Sequence, residues 1–148
     1  MSIKTARAWA ELFIDRKNDE AWKALHSNTV DYFDHAYMIH RIGIEATVGV
    51  REVWLQCHDP LQVDVESIEL TTNPDTVVAK LIWKGRFAHD LHAVPNGPIA
   101  VKASGKRFVT PIFTTFGFDD AGKIKRIDEF YTKNWDDGVE EGEYRKVI

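Results

Sequence analysis

The segment GKRFVTPIFTTFGFDDAGKIKRIDEFY, from Gly105 to Tyr131, decides the fold of this chain. Two runs rich in Phe, Thr, Val and Ile flank the tight turn DDAG at 119–122, and the glycine of that turn can adopt a positive φ. Strand-forming runs on both sides of such a turn are typical of a β-hairpin. The segment therefore predicts an antiparallel pair of strands.

The chain before residue 60 predicts helices with one strand between them. Apolar residues recur every three or four positions over 5–16, which indicates an amphipathic helix, and a short second helix is expected over 18–25. Residues 29–35 alternate like a strand. A third helix is expected to open at Gly49 and to end before the Asp59-Pro60 pair.

The remainder of the chain predicts β-sheet. Residues 61–70 alternate but change phase near Glu66-Ser67, which indicates a bulge. Residues 77–87 carry charged side chains on one face and apolar ones on the other, and the turn-rich stretch 90–104 is expected to form a rim over a pocket. The charged residues 136–148 predict a tail or a terminal helix. Helices followed by an antiparallel sheet indicate an α+β fold.

Composition limits the function. The 148 residues, 44% of them hydrophobic, predict one domain spanning 1–148. A net charge of −4 without a basic cluster argues against nucleic acid as a partner. The sequence shows neither a membrane segment nor the apolar region of a signal peptide, so we expect no membrane association and a cytoplasmic location. The lone cysteine, Cys57, is interpreted as a packing residue.

Three short motifs resemble one family of small proteins. The chain resembles NTF2-like proteins, and within them the SnoaL-like polyketide cyclases and isomerases, in three places: the final hairpin, the segment YFDH at 32–35 and the segment GVRE at 49–52. The resemblance implies an NTF2-like cone, in which N-terminal helices pack on a strongly curved, mostly antiparallel sheet that encloses a pocket. It also implies a homodimer and a hydrophobic small-molecule substrate, with no cofactor.

Asp34 is the first candidate for catalysis. It ends the first predicted strand on the same side as Tyr32, where a carboxylate would point into the cone. Counted from Ala24-Leu25, its position resembles that of the general base of the ketosteroid isomerases, which are also NTF2-like. A carboxyl group in an apolar cavity suits acid/base chemistry near neutral pH. The alternative is a solvated aspartate that caps the following turn.

Glu129 is the second candidate. Strand alternation places it with Ile127 and Tyr131 on one face, with Asp128 pointing away. Its position resembles that of a catalytic acid in the limonene-epoxide hydrolases, again an NTF2-like family. Alternatively, Glu129 is the surface partner of a lysine on an adjacent strand. Tyr131 is either a hydrogen-bond donor to a carbonyl or part of the cavity wall.

His89 is a third catalytic candidate, because it shares strand parity with Trp83 and Phe87 and so can reach the cavity mouth. A surface position is an equal alternative. His89 and His92 are ligand types for metals, but strand residues three apart face opposite ways. No metal site is predicted.

Several other residues are candidates for substrate binding. Arg41 can bind a carboxylate or an enolate oxygen, and it can equally be a loop charge in water. Thr110 and Thr114 place two hydroxyls in an otherwise apolar strand face. The full predicted binding set is Tyr32, His35, His40, Arg41, Trp54, Trp83, Thr110, Thr114 and Tyr131.

Three functions remain open on the sequence. The first is a cofactor-free isomerase, cyclase or dehydratase that acts on a hydrophobic, carbonyl-bearing product of polyketide or terpenoid metabolism. The second is an epoxide hydrolase of the limonene-epoxide hydrolase type, and the third is a non-catalytic module that binds a small molecule or a protein. Steroid isomerase activity itself is not expected, since Ala10 and Thr114 align with the oxyanion-binding Tyr and Asp of those enzymes.

Overall fold

The structure, a computed structural model, describes residues 2–132 and residue 147. The helices are α1 (Ser2–Phe13), α2 (Asp19–Lys23) and α3 (Ile44–Cys57), with a 3₁₀ turn over Arg16–Asn18. The strands are β1 (His26–Asp34), β2 (Ile39–Ile42), β3 (His58–Leu70), β4 (Thr76–Phe87), β5 (Leu91–His92), β6 (Ile99–Val101), β7 (Arg107–Phe118) and β8 (Ile124–Phe130). Apart from Val147, the predicted tail at 136–148 lies outside the described residues. No helix in the described part of the chain combines the length and the apolar character needed to span a bilayer.

Six strands form one sheet in the order β2-β1-β8-β7-β4-β3, and β5 pairs with β6 in a small separate ribbon. Strands β1 and β8 run parallel, whereas the other neighbours in the large sheet run antiparallel. Helices α1 and α3 pack against this sheet, which confirms the predicted α+β architecture. The predicted hairpin is β7-β8, and its turn contains Gly122 at φ +75°.

The core lies between the helices and one face of the sheet. Strand alternation decides which residues enter it, because successive side chains point to opposite faces. Strand β4 buries every second residue from Val77 to Phe87, as the sequence predicts, and the predicted bulge falls between Val65 and Ser67. Aromatic rings from α1, α2 and the sheet fill the centre: Trp9, Phe13, Trp22, Trp83 and Phe116.

Helix α3 begins earlier than the sequence predicts. It starts at Ile44 rather than at Gly49, after Gly43, which has a φ of +86° and supplies no capping side chain. Without a Ser, Thr, Asp or Asn cap, the sequence carries no clear start signal there. Gly49 lies inside the helix, where a Cβ atom would stand 3.4 Å from Cδ of Pro95. The rim 90–104 therefore lies against α3 at this position.

Buried Arg51 ties α3 to the end of α1. Its Nε donates to the carbonyl oxygen of Phe13 at 2.7 Å, and Nη2 donates to those of Leu12 and Asp15, both at 3.1 Å. Nη1 pairs with Asp19 at 2.6 Å. The last carbonyls of a helix need such donors because they have no partner within the helix. Arg51 therefore holds in place the helix that forms one wall of the cavity described next.

Candidate active site

A cavity of about 500 Å³ lies between α3, the ends of β1 and β2, and the β5-β6 rim. Its wall is mostly apolar. The lining residues are Asp34, Tyr37, Ile39, Arg41, Glu45, Ala46, Gly49, Val50, Val53, Trp54, Leu91, His92, Ala93, Val94, Pro95, Ala100, Val101 and Tyr131. A volume of this size with a few polar groups is typical of a site for a small organic molecule.

Asp34, the last residue of β1, places its carboxyl group in this wall and is only 3% exposed. Oδ1 accepts hydrogen bonds from the backbone N–H groups of Ala36 at 3.0 Å and Tyr37 at 3.1 Å. Oδ2 accepts from the Tyr131 hydroxyl at 2.7 Å. Asp34 thus caps the following turn and also lines the cavity, and it is buried rather than solvated. A carboxylate offers about four acceptor positions, which leaves roughly one for a ligand.

Tyr131 follows β8 and packs beside Trp54, with ring centroids 6.4 Å apart. Burial raises the pKa of its phenol, and the negative charge of Asp34 raises it further. The phenol therefore stays protonated and acts as a hydrogen-bond donor to Asp34. Together Asp34 and Tyr131 form a hydrogen-bonded polar pair in a mostly apolar wall.

Glu129 lies beside Asp34, because the two residues are in register across the parallel strands β1 and β8. It is 5% exposed and borders a second, much smaller inner cavity together with Tyr32 and Trp83. Burial raises the pKa of the Glu129 carboxyl group to about 8. The negative charge of Asp34 also raises this pKa, and a hydrogen bond from Tyr32 partly offsets the rise. At neutral pH this carboxyl group is mostly protonated, so it is neutral and can donate a hydrogen bond.

Arg41 supplies a positive charge to the same region. It stands opposite Tyr32 in the β1-β2 pair, lines the large cavity and has its guanidinium carbon 5.9 Å from the Tyr32 ring centroid. Its Nη1 atom is buried and has no hydrogen-bond acceptor. The predicted binding residue therefore reaches the cavity.

Three other predicted binding residues lie deeper than the large cavity. Trp83, Thr110 and Thr114 are buried on the inner face of β4 and β7, and their Nε1 and Oγ1 atoms have no hydrogen-bond partner. Trp83 borders the small inner cavity, as does Tyr32, whereas the two threonines border neither cavity. Trp54 borders both cavities and so separates them.

Three predicted histidines do not reach the cavity. His35 follows Asp34 and so faces the opposite way, where its Nε2 lies 2.8 Å from Oδ1 of Asp128. His40 is opposite Phe33 in the β1-β2 pair, on the outer face, and bonds Asp31 at 2.7 Å. His89 comes after β4 has ended and is exposed at the surface, so strand parity no longer determines where it points.

Other lining residues were missed by sequence reasoning. His92 is half-buried in the cavity wall, and its Nδ1 lies 2.7 Å from the carbonyl oxygen of Gly97. The two-residue strand that carries it is too short for an alternation signal. By contrast, Val50, Val53 and Trp54 recur at helical spacing on one apolar face of α3, and that face lines the cavity.

Cys57 also has a histidine beside it, with Sγ 3.3 Å from Nδ1 of His58. Both residues are buried in the core. Burial raises the pKa of the Cys57 thiol to about 12 and lowers that of His58 to about 4. Since the thiolate is the nucleophilic form, Cys57 is a packing residue, as predicted. Within residues 2–132, no three His, Cys, Asp or Glu side chains come together as a set that could hold a metal ion.

No family model matches the sequence, and no curated protein matches it significantly. Solved structures do match in fold. A Jannaschia protein named for the SnoaL-like polyketide cyclases is 20% identical, with a TM-score of 0.72 over 88% of this chain and 84% of that one. A Catenulispora acidiphila protein with a ketosteroid isomerase-like fold, solved with trimethylamine, is 17% identical, with a TM-score of 0.69 over 89% and 88%.

A Mycobacterium tuberculosis protein in complex with estradiol-17β-hemisuccinate is 14% identical, with a TM-score of 0.69 over 90% of this chain and 95% of that one. At such identities the likeness shows the fold alone. The chain has the NTF2-like α+β cone that the sequence resemblance implied, with helices on a curled, mostly antiparallel sheet.

Proposed function

We propose that this protein is a cofactor-independent acid/base enzyme of the isomerase, cyclase or dehydratase type. The observation that carries the proposal is the buried Asp34 carboxyl group, which faces an apolar cavity of about 500 Å³ and keeps roughly one acceptor position for a ligand. Enzymes of this chemistry need a carboxylate within reach of an acidic C–H bond, in a site that excludes water.

In the proposed reaction, Asp34 takes the proton next to a substrate carbonyl group. The enolate that forms needs hydrogen-bond donors aimed at its oxygen. Tyr131, kept neutral by burial, donates its one O–H to Asp34, and this hydrogen can turn to the enolate oxygen once Asp34 has taken the proton. Glu129 is protonated at neutral pH and lies in register with Asp34, but it borders the small inner cavity rather than the large one. Its proposed part is therefore to support the charged intermediate from behind the cavity wall, not to return the proton directly. Isomerisation, cyclisation and dehydration all share this enolate step.

The proposed substrate is a hydrophobic, carbonyl-bearing molecule derived from polyketide or terpenoid metabolism. The cavity wall supports this choice, because apolar side chains surround a small polar cluster. The names of the fold neighbours agree with it: one is called a SnoaL-like polyketide cyclase, and another was solved with an estradiol ester.

Deuterium exchange tests the proposal. Hydrophobic ketones are first screened for those that raise the melting temperature of the protein, and the incorporation of solvent deuterium next to the carbonyl group is then measured by NMR. Asp34→Asn is expected to slow the exchange by about 10²- to 10⁴-fold, the usual contribution of a general base. The matched control is Asp31→Asn, which alters an outward-facing aspartate of the same strand. Equal exchange in wild type and Asp34→Asn contradicts the proposal.

A non-catalytic binding module is the second candidate. It is favoured by the two backbone hydrogen bonds to Oδ1 of Asp34, which give this carboxyl group a structural role of its own. Ketones that bind but do not exchange their protons would support it. Epoxide hydrolysis needs a carboxylate that activates water and an acid that protonates the ring oxygen, and these two roles are open to Asp34 and to protonated Glu129. Incorporation of ¹⁸O from labelled water into the product would establish hydrolysis.

The homodimer implied by the sequence resemblance is also kept as a proposal. Phe113 and Phe130, paired across β7 and β8, are each 47% exposed on the outer face of the sheet. Sedimentation velocity at micromolar concentration measures the oligomeric state. A single species of 17 kDa would contradict a stable dimer.

A further inference from the structure

Arg41 differs from the other arginines of the described chain. Arg51 and Arg126 are held by several hydrogen bonds, and Arg7, Arg16 and Arg86 each have a carboxylate or carbonyl partner. Within residues 2–132, only Arg41 and Arg107 have no hydrogen bond or ion pair to an acceptor. Arg107 is exposed, so water can solvate it. Arg41 is half-buried in the wall of an apolar cavity.

The unused donor in Arg41 is costly. Its Nη1 atom is shielded from solvent and has no acceptor. Burying a donor without a partner costs free energy, because no hydrogen bond replaces those that water made with it. Its nearest aromatic neighbour, Tyr32, offers only a distant ring face at 5.9 Å. No hydrogen bond restrains Nη1, so none at this atom is broken when the guanidinium group turns toward a ligand.

The carboxylates around the cavity do not neutralise Arg41 by direct contact. Asp34 is engaged by three donors, two from the backbone and one from Tyr131. Glu45, at the cavity edge, pairs with Lys23 at 2.9 Å. Glu129 is protonated at neutral pH because burial raises its pKa to about 8. The guanidinium group thus remains available for a charged ligand.

We propose that the cavity binds an organic anion, whose negatively charged oxygens are held by the guanidinium group of Arg41 while its hydrophobic body fills the apolar space. A planar guanidinium group matches a carboxylate or a related oxyanion through paired N–H donors. Arg41 lies diagonally across the β1-β2 pair from Asp34, a separation of about 7–8 Å between backbones. This inference rests on the proposed function, in which the natural substrate carries a carbonyl group. With the anionic group added, that substrate is a hydrophobic oxo acid.

Two fluorescent probes that differ in one charged group test the proposal. The anion is 8-anilinonaphthalene-1-sulfonate, and its uncharged counterpart is N-phenyl-1-naphthylamine. The wild type is expected to bind the anion more tightly, despite its net charge of −4. Arg41→Gln is expected to weaken anion binding by about 10- to 100-fold, the range for a hydrogen bond to a charged group, and to change binding of the amine less than about twofold. Circular dichroism and thermal unfolding check that each variant is folded.

The control variant is Arg107→Gln, which also removes one positive charge but at an exposed site on β7, and it should change neither affinity. The proposal is overturned if Arg41→Gln weakens both probes equally or leaves the anion unaffected. It is also overturned if the wild type binds the amine as tightly as the anion, an outcome that needs no variant. Asp34→Asn separates the two proposals: it should slow deuterium exchange by about 10²- to 10⁴-fold but preserve the Arg41-dependent binding of the anion.

Discussion

The two faces of the β1-β8 strand pair carry similar residues in opposite environments. On the inner face, Asp34 and Glu129 stand in register beside the cavities, and burial raises the pKa of Glu129 to about 8. On the outer face, Asp128 bonds Arg126 and His35. Burial there works to raise the pKa of Asp128, but the hydrogen bonds from Arg126 and His35 outweigh it and lower the pKa.

The difference follows from hydration and partners, since all three side chains are carboxylic acids. The inner Glu129 carboxyl group loses water and gains few cations, so its neutral form is favoured. An outer one keeps nearby cations and stays ionised. Adjacent residues of one strand therefore carry a carboxyl group with a raised pKa on one side of the sheet and an ion-paired one with a lowered pKa on the other.

The largest expected effect comes from two phenylalanines of β7. Phe116 faces inward, is fully buried and packs against Trp9 with ring centroids 5.2 Å apart, whereas Phe113 faces outward and is 47% exposed. Phe116→Ala should lower the free energy of unfolding by about 3–5 kcal/mol, and Phe113→Ala by less than about 1 kcal/mol. Urea unfolding measures both losses. Equal losses would show that the two faces of the sheet are equally packed.

A smaller effect is expected from the two neighbouring acids of β8. The folded-state pKa of Glu129 is raised, so its contribution to stability is complete below the unfolded value of about 4.3 and is lost as the pH rises to about 8. Glu129→Gln should therefore be close to neutral at pH 5 and should stabilise the protein at pH 9, by on the order of a few kcal/mol.

Asp128 should behave in the opposite sense. Its pKa is lowered, so its contribution is present above the unfolded value of about 3.9 and is lost as the pH falls. Asp128→Asn should destabilise the protein by about 1 kcal/mol at both pH 5 and pH 9, as expected for a partly exposed ion pair. Urea unfolding of both variants at the two pH values is the measurement. If both variants changed the free energy of unfolding in the same direction at pH 9, the expected difference between Glu129 and Asp128 would be refuted.

The smallest effect compares two hydrogen bonds of equal length to aspartates of β1. The Tyr131 hydroxyl bonds buried Asp34 at 2.7 Å, and Nε2 of His40 bonds exposed Asp31 at 2.7 Å. Tyr131→Phe should cost about 1–2 kcal/mol, because it leaves a buried acceptor position unfilled, whereas His40→Gln should cost less than about 0.5 kcal/mol. Thermal unfolding at pH 7 measures this difference. A larger loss of stability from His40→Gln than from Tyr131→Phe would contradict the prediction that the buried hydrogen bond contributes more.

The predicted fold could be read from the sequence because alternation with period two is a local property. In β4 and β7 it assigned Trp83, Thr110, Thr114 and Phe116 to the inner face, where the structure has them. Likewise, the even positions of β1 placed Asp34 with Tyr32. The start of α3 was missed, since Gly43 provides no capping side chain and Gly49 resembles a helix boundary.

The sequence by itself determined the α+β class and the β7-β8 hairpin, and it placed Asp34 with Tyr32 and Glu129 with Tyr131 on one strand face, because each depends on neighbours only a few residues away. Which strand face points inward depends on packing from the rest of the fold. Tertiary structure alone decided that Tyr131 donates to Asp34, that Glu129 holds its proton at neutral pH and that Arg41 has an unpaired donor in the cavity wall. Those properties depend on desolvation and on partners from distant segments, and neither residue type nor spacing encodes the distance between such segments.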